Sequence, residues 1–293
     1  MKSVVRSLVL SSVVLGSAWG LIAPGIAPGI RRQSLVAMSE CVEEFTITRE
    51  IKAVRVFDGD FADEICDMVM NVGSAMIEKK GSFSLAIPGG SVVTALGRLD
   101  DDAFDFDKMH VFFCNEQIGE NKCYEGALES FVEAKGVPLE NVHGVGEGEP
   151  AEVAERYGNL LCSHPSIDND GALPSIDMVL LGTGADGHCG SLYPNSPEIK
   201  QTGSGKLVYG IDEKKSVAMS MDLFCAAKVG IVSAAGAGRS EMVAKALSGE
   251  FGDWDCPAAL VDCREETYWF VDEDSIADFN DIEEDLEDEE EGD

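Results

Sequence analysis

The order of apolar and polar residues predicts amphipathic helices that alternate with short buried strands. Apolar residues recur at helical spacing over three segments, at 61–76, 153–161 and 242–247. Continuous apolar runs predict five strands, at 84–87, 110–113, 176–181, 229–232 and 268–271. This alternation implies right-handed crossovers and an α/β fold, with a doubly wound, mostly parallel sheet flanked by helices. Because no internal repeat or low-complexity linker interrupts the pattern, residues 45–278 are predicted to form a single domain.

Residues 1–40 have the layout of a targeting segment. Two basic residues precede an apolar run at 8–15 that is too short to span a bilayer, and small residues follow it. Residues 21–38 lack acids, contain two arginines and are rich in Ala, Gly and Pro, which is typical of a transit peptide. The junction at 17–20 resembles the bipartite presequences of algae with complex plastids. We therefore predict a cleavable bipartite presequence at 1–40 and a location in the chloroplast stroma; secretion is the alternative.

Composition narrows the range of partners. The chain has 54 acidic and 22 basic residues, a net charge of -32, which disfavours binding to nucleic acid or to anionic membranes. Residues 279–293 are predicted to be an acidic, disordered, solubilising tail, with partner binding as the alternative. Nine cysteines without a CxxC pair and only four histidines predict neither a disulfide framework nor a metal centre. We expect no metal, no cofactor and no membrane contact of the mature form.

The glycine-rich segment after the strand at 176–181 is the main candidate for chemistry. Residues 180–194 read LLGTGADGHCGSLYP. The segment contains GxGxxG, but Pro194 and Pro197 interrupt the helix that would receive a dinucleotide, so this function is disfavoured. Asp186 lies two residues before His188 and can orient its ring, and a neutral imidazole can accept a proton from water near pH 7. A structural histidine satisfied by the backbone is the alternative interpretation.

This segment resembles the signature GxGxDGHxxSLFP of the 6-phosphogluconolactonase family, whose relatives include the glucosamine-6-phosphate deaminases. Weaker matches occur in the family's order at 86–91, 111–117, 225–227, 236–239, 257–260 and 269–272. The resemblance covers the mature chain. It implies hydrolysis of a small phosphorylated sugar lactone, 6-phosphogluconolactone, to 6-phosphogluconate in the oxidative pentose phosphate pathway. We expect the protein to act as a monomer.

The resemblance also implies roles for individual residues. His188 is expected to activate water as a general base, supported by Asp186. Main-chain N–H groups at a glycine turn that opens a helix can bind a phosphate, and a nearby guanidinium can pair with it. The residues expected to bind substrate and its phosphate are Gly89, Gly90, Ser91, Glu116, Gln117, Gly184, Lys214, Lys215 and Arg239.

The sequence departs from the family pattern at two positions where the family carries arginine. These positions are occupied by Gln117 and Ser216, and a neutral glutamine cannot form a charged fork with phosphate. Lys214 and Lys215 lie next to Ser216 and can compensate. A non-catalytic or altered-specificity sugar-phosphate-binding protein is therefore a second interpretation.

Two further interpretations concern single residues. A deaminase or isomerase is disfavoured, because that branch needs an aspartate base where this chain has Asn115. Cys189, beside the proposed base, is either a redox-active thiol or a small residue that fills a tight loop.

Overall fold

The computed structural model describes residues 52–281 and, before them, the strand residues Val4–Ser7 and Cys41–Ile47. The strands are β1 (Val4–Ser7), β2 (Cys41–Ile47), β3 (Lys52–Phe57), β4 (Phe83–Ile87), β5 (Met109–Phe113), β6 (Asn115–Gln117), β7 (Val142–His143), β8 (Met178–Gly182), β9 (Val208–Ile211), β10 (Ser216–Met219), β11 (Val229–Ala234) and β12 (Glu266–Asp272). The helices are α1 (Ala62–Lys80), α2 (Ser91–Ala95), α3 (Lys122–Ala127), α4 (Glu133–Lys135), α5 (Pro150–Ser163), α6 (Met221–Ala226) and α7 (Ser240–Ser248).

Nine strands of the described residues form the main sheet, in the order β1-β2-β3-β12-β11-β8-β4-β5-β7. The seven strands from β3 to β7 in this order are mutually parallel, and β1 and β2 add an antiparallel pair at one edge. The predicted mostly parallel α/β sheet is therefore confirmed. From β4 the chain proceeds outward through β5 to β7, and then returns to β8 and continues the other way through β11 to β12. The direction of winding thus reverses between β4 and β8.

Apolar side chains fill both faces of the sheet, as the continuous apolar runs predicted. One core lies beneath α5 and α7 and includes Tyr157, Val243 and Trp269. The other lies beneath α1 and includes Val69 and Phe270. Helix α1 has acids in its first turn, lysines in its last turn and Gly81 in the left-handed conformation as its C-cap, all of which stabilise a helix of this polarity.

A buried ion-pair network joins strands at the amino-terminal edge of the sheet. Asp177, which precedes β8, is fully buried and pairs with Lys80 at 2.9 Å and with Lys228 at 2.7 Å. The same two lysines pair with Asp168 at 3.1 and 2.5 Å. Asp177 also accepts hydrogen bonds from the main-chain N–H and hydroxyl of Ser84 on β4. The network links β4, β8 and β11 at the edge opposite their carboxyl ends.

The domain extends beyond the predicted boundary at residue 278. Residues 273–281 are helical, and Phe279 is only 3% exposed because it packs in the core beside α7. The predicted disordered tail therefore begins too early at residue 279, and residues 282–293 lie outside the described residues. The predicted presequence also lies outside them, except for β1. In the part of the chain that the structure describes, every helix is too short or too polar to cross a bilayer.

Candidate active site

The carboxyl ends of four neighbouring parallel strands bring most of the predicted site residues to one edge of the sheet. The loop after β4 contains Gly89–Ser91, and the loop after β8 contains Gly184–His188. The loop after β11 contains Arg239, and β5 leads directly into β6. Ligands of doubly wound sheets bind where the winding reverses, which here is the crevice between β4 and β8.

His188 and Asp186 form a hydrogen-bonded pair on the loop after β8. The Nδ1 atom of His188 lies 2.6 Å from Oδ1 of Asp186, which also accepts the main-chain N–H of His188 at 3.2 Å. Partial burial raises the pKa of the Asp186 carboxyl, but these hydrogen bonds from His188 lower it more, so that the pKa lies below its ordinary value. Because the ionised carboxylate can only accept, Nδ1 carries the proton of the neutral ring. Nε2 is left as a proton acceptor on a ring that is 35% exposed.

Two glycines allow this loop to close on itself. A Cβ atom at Gly184 would lie 2.2 Å from Nδ1 of His188 and 2.6 Å from Oδ1 of Asp186, so no side chain fits beside the pair. Gly187 has φ +83°, and a Cβ there would lie 2.8 Å from Sγ of Cys256. The loop is held by hydrogen bonds from the Gly184 N–H to the His188 carbonyl and from the Gly187 N–H to the Gly184 carbonyl. The glycine spacing of the motif therefore serves the histidine–aspartate pair.

Tyr193 supports the histidine from one face and carries a cation on its own ring. The rings of His188 and Tyr193 stack with centroids 4.6 Å apart and an angle of 28°. Nζ of Lys214 lies 3.3 Å from the centroid of the Tyr193 ring, which is a cation–π contact. The stack brings the exposed Lys214 to the histidine loop. The sequence interpretation gave Tyr193 no role, because a stacking contact leaves no spacing signal.

Arg239 joins the loop after β11 to the histidine loop. Its Nε donates to the Thr183 carbonyl at 2.8 Å, and its Nη1 donates to the Ala235 carbonyl at 2.7 Å. The turn before it depends on Gly236, which has φ +83° and ψ +150°, a conformation that only glycine adopts readily. The Gly236 N–H donates to both carboxylate oxygens of Asp272. The guanidinium thus lies within the predicted site, anchored through two of its nitrogens.

The loop after β4 has a closely similar turn. Gly90 has φ +84° and ψ -151° and immediately precedes α2. The N–H groups of Ser91 and Val92 come before the first hydrogen bond of α2, which runs from the Val93 N–H to the Gly90 carbonyl, and so have no partner within the helix. The loop is packed against its neighbours, since a Cβ atom at Gly89 would lie 3.1 Å from Sγ of Cys123, and one at Gly182 would lie 3.4 Å from Cγ2 of Val92. The exposed Ser91 is the first residue of α2.

Glu116 lies inside the protein, in contrast to its predicted role in binding substrate. It is 1% exposed, and its carboxylate accepts the main-chain N–H groups of Gln117, Cys123 and Tyr124 at 2.9, 3.1 and 2.8 Å. Those contacts occupy both oxygens and fix the turn between β6 and α3. The residue is therefore placed to shape the loop rather than to contact a ligand.

Gln117 and Ser216 lie directly opposite each other. They are register partners on β6 and β10, which with β9 form a three-stranded antiparallel sheet. The Gln117 amide donates to Oε1 of Glu120 at 2.8 Å. Ser216 is 7% exposed, and its hydroxyl has no hydrogen-bond partner among the described residues. The two departures from the family pattern therefore fall at one place in the fold.

The remaining two candidates are less directly connected to the histidine. Lys215 is exposed, and its backbone adopts the left-handed conformation with φ +50°. Its carbonyl accepts the N–H of Ile118 after β6. Cys189 is fully buried, and burial raises the pKa of its thiol, which stays protonated. That environment favours the interpretation of Cys189 as a small loop-filling residue over the redox-active thiol.

Comparison with known proteins identifies similar chains. A family described as glucosamine-6-phosphate isomerases/6-phosphogluconolactonase matches residues 58–269. "Probable 6-phosphogluconolactonase 2" of Arabidopsis thaliana is 25% identical over 244 residues, covering 75% of this chain and 92% of that protein. "6-phosphogluconolactonase 3, chloroplastic" of the same plant is 25% identical over 245 residues, with 76% and 74% covered. The crystal structure of 6-phosphogluconolactonase from Leishmania guyanensis superposes with a TM-score of 0.61 at 22% identity, covering 76% of this chain and 96% of that one.

Proposed function

The chain belongs to the family of glucosamine-6-phosphate isomerases and 6-phosphogluconolactonases, and within it we propose that the protein hydrolyses 6-phosphogluconolactone to 6-phosphogluconate. The observation that carries the proposal is the His188–Asp186 pair, held at 2.6 Å at the carboxyl end of β8. The names of the curated plant relatives agree with this activity.

In the proposed reaction His188 acts as the general base. Its Nε2 accepts a proton from a water molecule as the water oxygen bonds to the lactone carbonyl carbon. The ring C–O bond of the resulting tetrahedral intermediate then breaks, and the same proton passes from Nε2 to the departing ring oxygen. Asp186 keeps the ring oriented and stabilises the imidazolium that forms between these two steps. The negative charge on the carbonyl oxygen needs main-chain N–H donors, which the glycine loops at this edge can supply.

The substrate's phosphate is proposed to bind between the loops after β4 and β11. The unpartnered N–H groups at the start of α2 can donate to phosphate oxygens, and the Arg239 guanidinium supplies a positive charge. Lys214, held on the Tyr193 ring, adds a second cation close to the base. Gly89, Gly90 and Ser91 shape the first of these loops, and Lys215 is a further exposed cation beside Lys214.

Asn115 argues against the isomerase branch of the family. Its side-chain amide contacts Sγ of Cys123 at 3.9 Å, and an amide cannot accept and relay a proton as a carboxylate does. An enzyme that moves a proton between carbon atoms of an amino sugar needs such a base. Lactone hydrolysis needs only the base at His188.

The decisive assay measures hydrolysis of freshly generated 6-phosphogluconolactone, with spontaneous hydrolysis subtracted. We expect clear activity in the wild-type protein and a loss of about 10²–10⁴-fold in His188→Ala, since a positioned base contributes that much. His164→Ala, a histidine outside this edge of the sheet, serves as the matched control and should retain activity. A folded wild-type protein with no activity above background would refute the proposal.

A second candidate, binding of a sugar phosphate without lactone hydrolysis, is favoured by one observation. Gln117 and Ser216 are register partners, so two neutral side chains replace two family arginines at a single place. Calorimetric titration with 6-phosphogluconate tests binding separately from catalysis. Binding by a wild-type protein that lacks activity would favour this candidate, whereas activity lost in His188→Ala with binding retained would favour the enzyme.

We further propose that residues 1–40 direct the protein to a plastid. The nearly acid-free sequence and its two-part layout support this, and several relatives carry the word chloroplastic in their names. Fusing residues 1–40 to a fluorescent protein in an alga with complex plastids should place the fluorescence in the stroma. Secretion of the fusion protein would contradict the proposal.

A further inference from the structure

Three of the four histidines of the chain gather at one edge of the main sheet, on elements other than the loop that carries His188. His110 lies near the start of β5, His143 ends β7, and His164 directly follows α5. Each offers a ring nitrogen, and these nitrogens lie within 4.8 Å of one another. The sequence analysis predicted no metal centre because the chain has only four histidines.

The distances between the rings approach those of a metal site. Nδ1 of His110 lies 3.3 Å from Nε2 of His143. Two imidazole nitrogens that bind one zinc ion tetrahedrally at about 2.0–2.1 Å are separated by about 3.3–3.4 Å. The His143 and His164 rings are 4.3 Å apart at their centroids. We propose that His110, His143 and His164 form a binding site for a divalent transition-metal ion, with zinc as the main candidate.

The fold positions two of these rings through strand pairing. Phe112 is the register partner of His143, and His110 lies two residues earlier on β5, so it projects from the same face. The Phe112 ring stacks on His143 with a centroid distance of 4.7 Å and an angle of 23°. The His143 ring is thus held between an apolar ring and the other two histidines.

His164 has a partner that can orient its ring. Its Nδ1 lies 2.8 Å from Oγ of Ser166 and accepts the main-chain N–H of Ser166 at 3.2 Å. These two contacts fix the orientation of the ring. The support for the site therefore extends beyond the three ligands.

The ligand chemistry of the cluster suits a transition-metal ion. The charge of the nearby Lys80 is balanced by its ion pairs with Asp168 and Asp177. An all-imidazole ligand set selects zinc, copper, nickel or cobalt and excludes calcium and magnesium, which prefer oxygen ligands.

The site joins elements that are distant along the chain. A bound ion would connect β5, the edge strand β7 and the end of α5. It lies towards the amino-terminal end of β5, whereas the candidate active site lies beyond the carboxyl end. We therefore infer a role in stability that is independent of lactone hydrolysis.

The experiment uses the full chain purified without a polyhistidine tag and stripped with a chelator. Titration with Co²⁺, followed by its visible d–d absorption, reports nitrogen ligation, and thiolate ligation would add charge-transfer absorption in the near ultraviolet. Thermal unfolding with Zn²⁺ measures the stabilisation, which we expect to reach about 5–10 °C at a zinc concentration 100 times Kd. His143→Gln and His164→Gln remove one ligand each.

Two variants serve as controls. His188→Ala removes the fourth histidine, and Cys162→Ser removes an exposed thiol close to His164 in sequence. We expect one ion per chain, binding at least about 100-fold weaker in His143→Gln and His164→Gln, and unchanged binding in both controls. Circular dichroism of each metal-free variant checks that it is folded.

Three results would overturn the proposal. They are no binding by the folded wild-type protein, binding that His143→Gln and His164→Gln leave unchanged, and binding that is lost in Cys162→Ser or His188→Ala instead.

Discussion

The substitution Gly184→Ala isolates the contact between His188 and Asp186 without altering either residue. The new Cβ atom would lie 2.2 Å from Nδ1 of His188, whereas non-bonded heavy atoms require about 3.5 Å. The ring or the carboxylate must therefore move by about 1 Å or more, and the hydrogen bond of 2.6 Å cannot persist in its present geometry. The φ angle of Gly184 lies outside the left-handed region, so alanine adds no backbone strain.

A displacement of about 1 Å of a catalytic group can lower the rate by about 10²-fold, and complete loss of a positioned base lowers it by about 10²–10⁴-fold. We expect kcat of Gly184→Ala to fall by at least about 10²-fold, to a value no lower than that of His188→Ala. KM should change little, because the loops proposed to hold the phosphate are not touched. Stability should change by less than about 1 kcal/mol, since the entropic gain of alanine offsets the loss of an exposed ion pair.

The assay compares steady-state hydrolysis of 6-phosphogluconolactone and thermal unfolding for three proteins. The matched control is Gly126→Ala in α3, where a Cβ atom meets no other atom within 4 Å. A folded Gly184→Ala with wild-type kcat would refute the claim that the His188–Asp186 contact is needed. An equal loss in Gly126→Ala would show that the effect is not specific to the pair.

Three further predictions follow from other contacts. Arg239→Ala should lower kcat/KM by about 10–100-fold, because hydrogen bonds from a charged donor contribute about 1.5–3 kcal/mol each. The kcat/KM of Arg239→Lys should lie between that of Arg239→Ala and that of the wild type. Wild-type kinetics in both variants would show that the guanidinium is dispensable. Gly90→Ala should destabilise the protein by about 1–3 kcal/mol in chemical denaturation, through its backbone conformation alone, since its Cβ would meet no atom within 4 Å; an unchanged midpoint would contradict this. Burial raises the pKa of the Asp168 carboxyl, but Lys228 and Lys80 lower it more, so that the pKa lies below its ordinary value. The ionised carboxylate should therefore stabilise the protein above about pH 4, where an unfolded aspartate titrates, and this stabilisation should be lost as the pH falls further. The melting temperature of the wild type should therefore fall more steeply below pH 4 than that of Asp168→Asn. Parallel curves of melting temperature against pH would contradict a stabilising role for the ionised Asp168.

The sequence predicted the main sheet because its strands are buried on both faces. Five apolar runs were recognised, and each lies within or overlaps β4, β5, β8, β11 or β12. The glycine-rich loops follow β4, β8 and β11, and parallel strands place those loops at one edge. The structure places His188 beside Asp186 because both residues belong to one short loop, and their catalytic roles stay predictions.

Short elements and long-range contacts were not predictable in the same way. β6, β9 and β10 have three or four residues each, too few for a periodic pattern. Glu116 resembles a ligand in sequence, and only the fold reveals that its carboxylate is occupied by three main-chain N–H groups. The histidine cluster depends on the pairing of β5 with β7, which no local spacing encodes.

Buried Glu116 holds the turn between β6 and α3 through main-chain contacts, independently of the side chain of its neighbour Gln117. The turn between β6 and α3 is held by a carboxylate and main-chain groups, whereas the side-chain amide of the adjacent Gln117 donates to the exposed Glu120. Residue 117 can therefore be exchanged, by evolution or by design, without rebuilding the turn. We expect single substitutions there to leave a folded protein, so this position is free to vary while the fold is kept.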